Sequence, residues 1–264
     1  MHAPPSTELH VLDHPARPAA IGENAPLVVL VHGSLDRAAS FGRVVRRLGD
    51  LHVVTYDRRG YARSRDVVPP AMGLDDHVAD LLAILRDRPA IVGGHSYGGT
   101  LALCAADRRP DLIRALVVYE PPLPWMPFWP DSRSFWRQFG SNDSAAAAEA
   151  FMRRMTGDVT WERLPDRTKR DRLAEGPALL AEMSDIRREI PPFSIDALDL
   201  PVVVGVGSRT VRHQRAGTQY LADHIPGADL VEVAGAGHGA HLTHPDAFAA
   251  LVRRAVDRAV GRAV

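Results

Sequence analysis

A serine held between glycines at a strand–helix junction constrains this chain more than any other feature. Pro89-Ala90-Ile91-Val92-Gly93 is a short apolar run that reads as a buried strand. Gly99-Thr100-Leu101-Ala102-Leu103-Cys104-Ala105-Ala106 reads as a helix, and Gly94-His95-Ser96-Tyr97-Gly98 lies between them. A turn that sharp is passable only where neighbouring Cβ atoms are missing, which the two flanking glycines provide. It pushes the serine hydroxyl out at the C-terminal edge of a sheet, above a helix N-terminus whose amides favour developing negative charge. The plainer alternative, a Gly-rich turn whose serine only caps the helix, does not need both flanking elements.

The rest of the chain alternates in the same way. Strands are expected at Leu9–Leu12, Leu27–Val31, Leu51–Tyr56, Ile113–Tyr119, Val202–Val206 and Asp229–Val233, by their apolar and β-branched runs. The Pro-, Ala- and Gly-rich segment 14–24 reads as a loop with room for one weak strand; counting it, Ile113–Tyr119 is strand six. Helices are expected at Phe41–Leu48, Asp75–Arg86, Val211–His224 and Pro245–Val260. Strands alternating with helices imply a mostly parallel sheet covered on both faces.

Residues 121–200 break the alternation. They hold all four tryptophans, Trp125, Trp129, Trp136 and Trp161, with Phe128, Phe135, Phe139, Phe151, Met152 and Met155. Such a stretch is too long and too aromatic for a plain connection. Helical patterns near 132–139, 144–156, 160–173 and 177–189 predict a small helical lid, with residues 1–120 and 201–264 forming the core. Half or more of these aromatics belong to the lid's own interior. The others would lend the pocket an apolar wall.

Composition narrows the function classes. The 32 basic and 32 acidic residues balance to zero formal charge with no basic stripe, which disfavours nucleic acid or an anionic membrane as main partner. Lys169 is the only lysine, a codon-usage trait rather than a functional one. The single cysteine, Cys104, lies on the apolar helix after Ser96 and reads as a small core residue. Residues 1–7 show no basic-then-apolar leader pattern, and no stretch reaches the roughly 18 apolar residues of a membrane span. A soluble, cytoplasmic protein is expected.

Four pieces in register resemble the α/β-hydrolase superfamily over nearly the whole length. His32-Gly33-Ser34 follows the first long strand, and Asp57-Arg58-Arg59-Gly60-Tyr61-Ala62-Arg63-Ser64 resembles the family's D-x-R-G-x-G-x-S turn, with Ala62 where glycine is usual. The Ser96 turn is the nucleophile elbow, and Gly235-Ala236-Gly237-His238 resembles the histidine loop before the final helix. The resemblance implies an α/β-hydrolase fold with Ser96 as nucleophile and His238 as its base. Ser34 and Tyr97 N–H groups would form the oxyanion hole. Serine holds its proton too tightly to attack unaided, so it needs a base kept in the right tautomer by an acid. His95 reads as a support, His241 as a pocket residue and His244 as part of a helix start. Asp57, Arg58 and Arg59 read as a structural charged turn.

The acid is the departure from pattern. Most family members carry an aspartate after the strand occupied here by Val202–Val206, but Gly207-Ser208-Arg209-Thr210 has no carboxylate. Asp196 and Asp199 precede that strand, at the wrong edge. Glu120 directly follows Ile113–Tyr119, at the same edge as the elbow. Tyr119-Glu120-Pro121-Pro122 is similar to the arrangement in certain haloalkane dehalogenases and in the lactonases that open the zearalenone macrocycle. Glu120 is therefore assigned as the acid, with Asp223 or Asp196 next.

The expected activity is cofactor-free hydrolysis of an apolar, small-molecule carboxylic ester or lactone through an acyl-enzyme. Leu35, Trp125, Phe128, Trp129 and His241 are the candidate pocket residues. No metal is implied: the histidines and carboxylate around His238, His241, His244 and Asp246 lack a metalloprotease or thiolate pattern. No glycine loop fits a nucleotide. The alternatives are a carbon–carbon bond hydrolase on the same triad, a non-hydrolytic ligand-binding or lyase member, and a non-catalytic interaction protein. The missing aspartate at 207–210 is what keeps the non-hydrolytic class open. Substrate identity and oligomeric state are not legible.

Overall fold

Alternate residues of each apolar run pack on opposite faces of one sheet, which is why the runs are unbroken. The computed structural model describes residues 8–17, 26–131, 136, 139 and 143–262. Its strands are β1 (Val11–His14), β2 (Leu27–Val31), β3 (His52–Tyr56), β4 (Ala90–His95), β5 (Ile113–Tyr119), β6 (Val202–Gly207) and β7 (Asp229–Val233). They lie in the order β1-β3-β2-β4-β5-β6-β7, parallel throughout except for β1 against β3. Val29, Val31, Val92, Leu116 and Val204 pack in one core cluster; Val28, Leu30, Ile91, Val117 and Val203 pack in the other. β5 is the fifth strand among the described residues rather than the sixth, and most of the segment read as a weak strand lies outside them.

Helices α1 (Leu74–Leu85) and α2 (Tyr97–Arg108) bring Leu81, Leu85, Leu101 and Leu103 to the first face, joined by Leu221 from α7 (Arg212–His224). The other face is covered by Phe41, Val44 and Leu48, and by Phe248, Val252 and Val256 of α8 (Pro245–Gly261). Phe41–Leu48 is not one helix but short turns, Ala38–Phe41, Gly42–Val45 and Arg46–Leu48. No described helix is long and apolar enough to cross a membrane.

Between β5 and β6 the insert carries α3 (Ser144–Thr156), α4 (Asp158–Arg163), α5 (Asp166–Ala174) and α6 (Gly176–Asp185). The pattern read as one helix over 160–173 breaks at Pro165, which heads α5 and cannot continue the preceding turn. The helix expected near 132–139 falls mostly outside the described residues. α6 seats closely on the turn after β3. A Cβ on Gly60, whose φ is +86°, would come within 2.5 Å of the Ala178 Cβ.

Candidate active site

β4 and β5 are neighbours, and each ends in a residue other than glycine with positive φ. Ser96 follows β4 at φ 53° and ψ −126°, and Glu120 follows β5 at φ 46°. A left-handed conformation is costly for residues with a Cβ and persists only where surrounding structure enforces it. Here each turn is tied to the next strand over: Ser96 N–H donates to Tyr119 O on β5 (2.9 Å), and Glu120 N–H donates to Gly205 O on β6 (3.2 Å). The elbow tolerates no side chain at its glycines. A Cβ on Gly94 would lie 2.2 Å from Gly98 O, and one on Gly98 would lie 2.2 Å from Val31 O.

Glu120 is fully buried and spends both oxygens on this edge of the sheet. Oε2 lies 2.7 Å from His238 Nδ1, and Oε1 accepts from Gly207 N–H at 2.8 Å. The loop that lacks the usual aspartate thus supplies a backbone donor to the carboxylate standing one strand away. With Nδ1–H facing Glu120, His238 presents Nε2 as its basic nitrogen. The histidine loop is pinned from below, since His95 Nε2–H donates to His238 O (2.8 Å) and Tyr119 O–H donates to Gly237 O (2.9 Å). Burial first, then neighbouring imidazoles, hold His95 well below the ordinary histidine range, so it stays neutral. Asp196 and Asp223 are exposed, and Asp223 accepts from Gln219.

Ser96, Tyr97, Ser34 and His238 open together onto a cavity of 120 Å³. Trp129, Trp136, Phe151, Met155, Met183 and Ile186 make its apolar wall. His213 and Arg154 also line it; His213 is held below the ordinary range, by burial first and then by Arg154. Of the five residues expected in the pocket, only Trp129 lines it. Trp125 packs edge-on against Phe193 (centroids 5.8 Å apart), and Phe128 lies against Tyr220 at the surface. Successive tight turns, Met126 N–H to Leu123 O and Trp129 N–H to Met126 O, send these aromatics to different sides. Leu35 has positive φ and points into the core at 3% exposure. His241 is 1% exposed, faces Phe41 and His95, and bonds Asp36 through Nε2 (3.0 Å).

The histidine–carboxylate group also differs from the one expected. His241 joins Asp36 and His95, with potential ligand atoms within 4.8 Å of one another, whereas Asp246 pairs with Arg47 at the surface. Within the trio, Asp36 is engaged by His241, and His95 is spent on the His238 carbonyl.

Sequence reasoning missed Glu182. Its carboxylate is fully buried, accepts from Ser34 Oγ at 2.6 Å and pairs with the buried Arg58 guanidinium. Its Oε1 also lies 3.3 Å from His77 Nε2. Burial alone would raise the Glu182 pKa, but Arg58 and then His77 carry it down to about 2. A signal existed: Glu182 interrupts the apolar stripe of Leu179, Met183 and Ile186, and a lone acid on a buried helix face needs a partner.

Residues 28–251 match the model of the alpha/beta hydrolase family. The chain belongs to that family. It is 30% identical over 253 residues to a pimeloyl-[acyl-carrier protein] methyl ester esterase of Xanthomonas oryzae pv. oryzae (strain MAFF 311018), covering 88% of this chain and 96% of the relative. An esterase from Thermogutta terrifontis has the same fold, with a TM-score of 0.72 at 19% identity over 95% of this chain and 93% of that one. An enol-lactonase from Burkholderia xenovorans LB400 superposes with a TM-score of 0.71 at 23% identity over 94% and 96% of the two chains. In this alpha/beta hydrolase the Ser96 turn follows β4, the His238 loop follows β7, and the buried carboxylate of Glu120 follows β5.

Proposed function

We propose that the protein is a cofactor-free serine hydrolase acting on a carboxylic ester or lactone of an apolar small molecule. The observation that carries this reading is the 2.7 Å contact between His238 Nδ1 and the buried Glu120, with Ser96 and His238 opening on the same cavity. His238 Nε2 takes the proton from Ser96 as Oγ attacks the carbonyl carbon, and later delivers it to the leaving alcohol. Glu120 fixes the ring's tautomer and stabilises the imidazolium. Tyr97 and Ser34 N–H groups receive the oxyanion; the Ser34 hydroxyl is already committed to Glu182, which leaves its amide for this role. Water then attacks the acyl-enzyme with His238 again as base. The inserted helices act as a lid that keeps the site dry and supplies the apolar wall.

The sequence feature that kept a non-hydrolytic member open was the loop after β6 without an aspartate. That loop's Gly207 amide is a donor to Glu120, so the acid's function passes to β5 and the feature loses its force. An alkyl phosphonate probe tests the reading. Stoichiometric labelling of Ser96, absent in Ser96→Ala, is expected; an unlabelled protein overturns it. A panel of esters, lactones and β-diketones then separates ester hydrolysis from carbon–carbon cleavage.

A further inference from the structure

Arg58 occupies the unconstrained position of the Asp57-Arg58-Arg59-Gly60 turn, yet it is 0% exposed and lies beneath both residues read as oxyanion donors. Its Nε–H donates to His32 O (3.0 Å) and its NH2 donates to Gly33 O (3.0 Å), fixing the two peptides that lead into Ser34. Its own backbone N–H donates to His32 Nε2 (2.9 Å), and the His32 ring, through Nδ1–H, donates to Gly33 O (2.8 Å). The guanidinium packs over the Tyr97 ring at 4.9 Å and the Tyr61 ring at 4.8 Å. A buried guanidinium needs a carboxylate, and among the described residues no core element supplies it. Glu182 does, from α6 of the insert, and its second oxygen accepts the Ser34 hydroxyl.

We propose that Glu182 is a positioning residue through which the docked insert sets the oxyanion hole, by holding Ser34 directly and the Gly33–Ser34 and Tyr97 segments through Arg58. The inference rests on the reading of the Ser34 and Tyr97 amides given above. Two further contacts dock the same helix face: Leu74 N–H donates to Asp185 Oδ2 (2.8 Å), and Ala62 N–H donates to Glu175 Oε1 (2.9 Å). The insert is thus joined to the core by carboxylates of α6 and its N-cap, and Glu182 alone among them touches the catalytic edge. Opening the lid for substrate must then leave α6 in place, or the oxyanion hole opens with it.

The test compares Glu182→Gln, Ser34→Ala and the double variant in the full-length protein. Each single variant is expected to lose about 10- to 100-fold in kcat with KM little changed, somewhat less than deleting an oxyanion donor outright. The inhibition constant of a trifluoromethyl ketone, which fills the hole as a tetrahedral adduct, should rise by the same factor, while that of a neutral apolar alcohol stays put. The double variant should be no worse than Glu182→Gln alone, because Ser34→Ala cuts only the Ser34–Glu182 bond, whereas Glu182→Gln also removes the charge that faces Arg58. A merely structural Glu182 would lower Tm and leave the ketone-to-alcohol ratio alone, and that result overturns the proposal. So do losses that multiply in the double variant. Should Glu182→Gln fail to fold, Ser34→Ala, which removes one oxygen, carries the test by itself. A wild type that resists phosphonate labelling sinks the hydrolase reading along with this one; a labelled wild type with unaffected variants sinks this inference only.

Discussion

Glu120 and Glu182 are both fully buried, each bonded to a residue that lines the cavity, His238 and Ser34, yet their other partners differ. Glu120 faces an imidazole and a backbone amide, and neither neutralises it permanently. Glu182 faces a guanidinium that stays charged at every working pH. A buried carboxylate with a titratable partner can stabilise a charge that comes and goes during turnover. One locked to arginine serves better as a fixed strut. The origins differ too: Glu120 hangs from a core strand end, while Glu182 arrives on the insert.

The largest effect is expected at Glu120. Glu120→Gln keeps the side-chain shape and can still accept from Gly207 N–H, but it presents the wrong partner to His238 Nδ1. We expect kcat to fall by about 10³- to 10⁴-fold with Tm nearly unchanged, measured by steady-state kinetics and thermal melting. Near-normal turnover would strip Glu120 of its role. Next in size is Arg58→Met, which should reverse the pattern. Leaving Glu182 buried without its cation costs about 3–5 kcal/mol of stability, read from urea denaturation midpoints. A loss under about 1 kcal/mol would show that the pair is not a strut.

How much of this was legible depended on whether a residue's partner is local or distant. Ser96 and His238 are set by glycines within two residues of them, so short motifs reveal both. Glu120 could be placed because a parallel sheet puts every strand's C-terminal end on one edge. Trp125, Phe128, Leu35 and His241 misled because their neighbourhood fixes only the region, while single turns and one positive φ decide which way each side chain points. Glu182 lies far along the chain from Ser34 and Arg58, and nothing near it in sequence names either. Its place in an apolar stripe said only that some partner existed.

The pocket correction gives a smaller, local prediction. Trp129→Ala should raise KM for medium-chain esters by about tenfold, the effect of losing one well-packed apolar contact, with kcat less affected. Trp125→Ala, at an aromatic packed on Phe193, should lower Tm and leave KM alone. Equal KM changes in the two variants would put both rings in the pocket.

The smallest effect concerns pH and the histidines packed around Arg58. His32 is lowered from 6.5 to about 3, by burial first and then by Arg58, and its Nε2 must stay unprotonated to accept the Arg58 N–H. His77 is lowered for the same two reasons. For a histidine lowered on folding, the unfolded chain binds the proton first, so the stability it contributes is full above pH 6.5 and drains away as pH falls toward the folded value. Glu182, lowered from 4.5 to about 2, loses its share only in the lower window between those values. Unfolding free energies from urea titrations between pH 7 and pH 5 should therefore fall before the buried glutamate begins to titrate, by at most about 1.4 kcal/mol per pH unit for each histidine kept neutral. His32→Gln should remove about one proton's worth of that slope. A wild-type profile that is flat above pH 5 would mean that the imidazoles packed around Arg58 accept protons as readily folded as unfolded, and the guanidinium's hold on His32 would have to be given up.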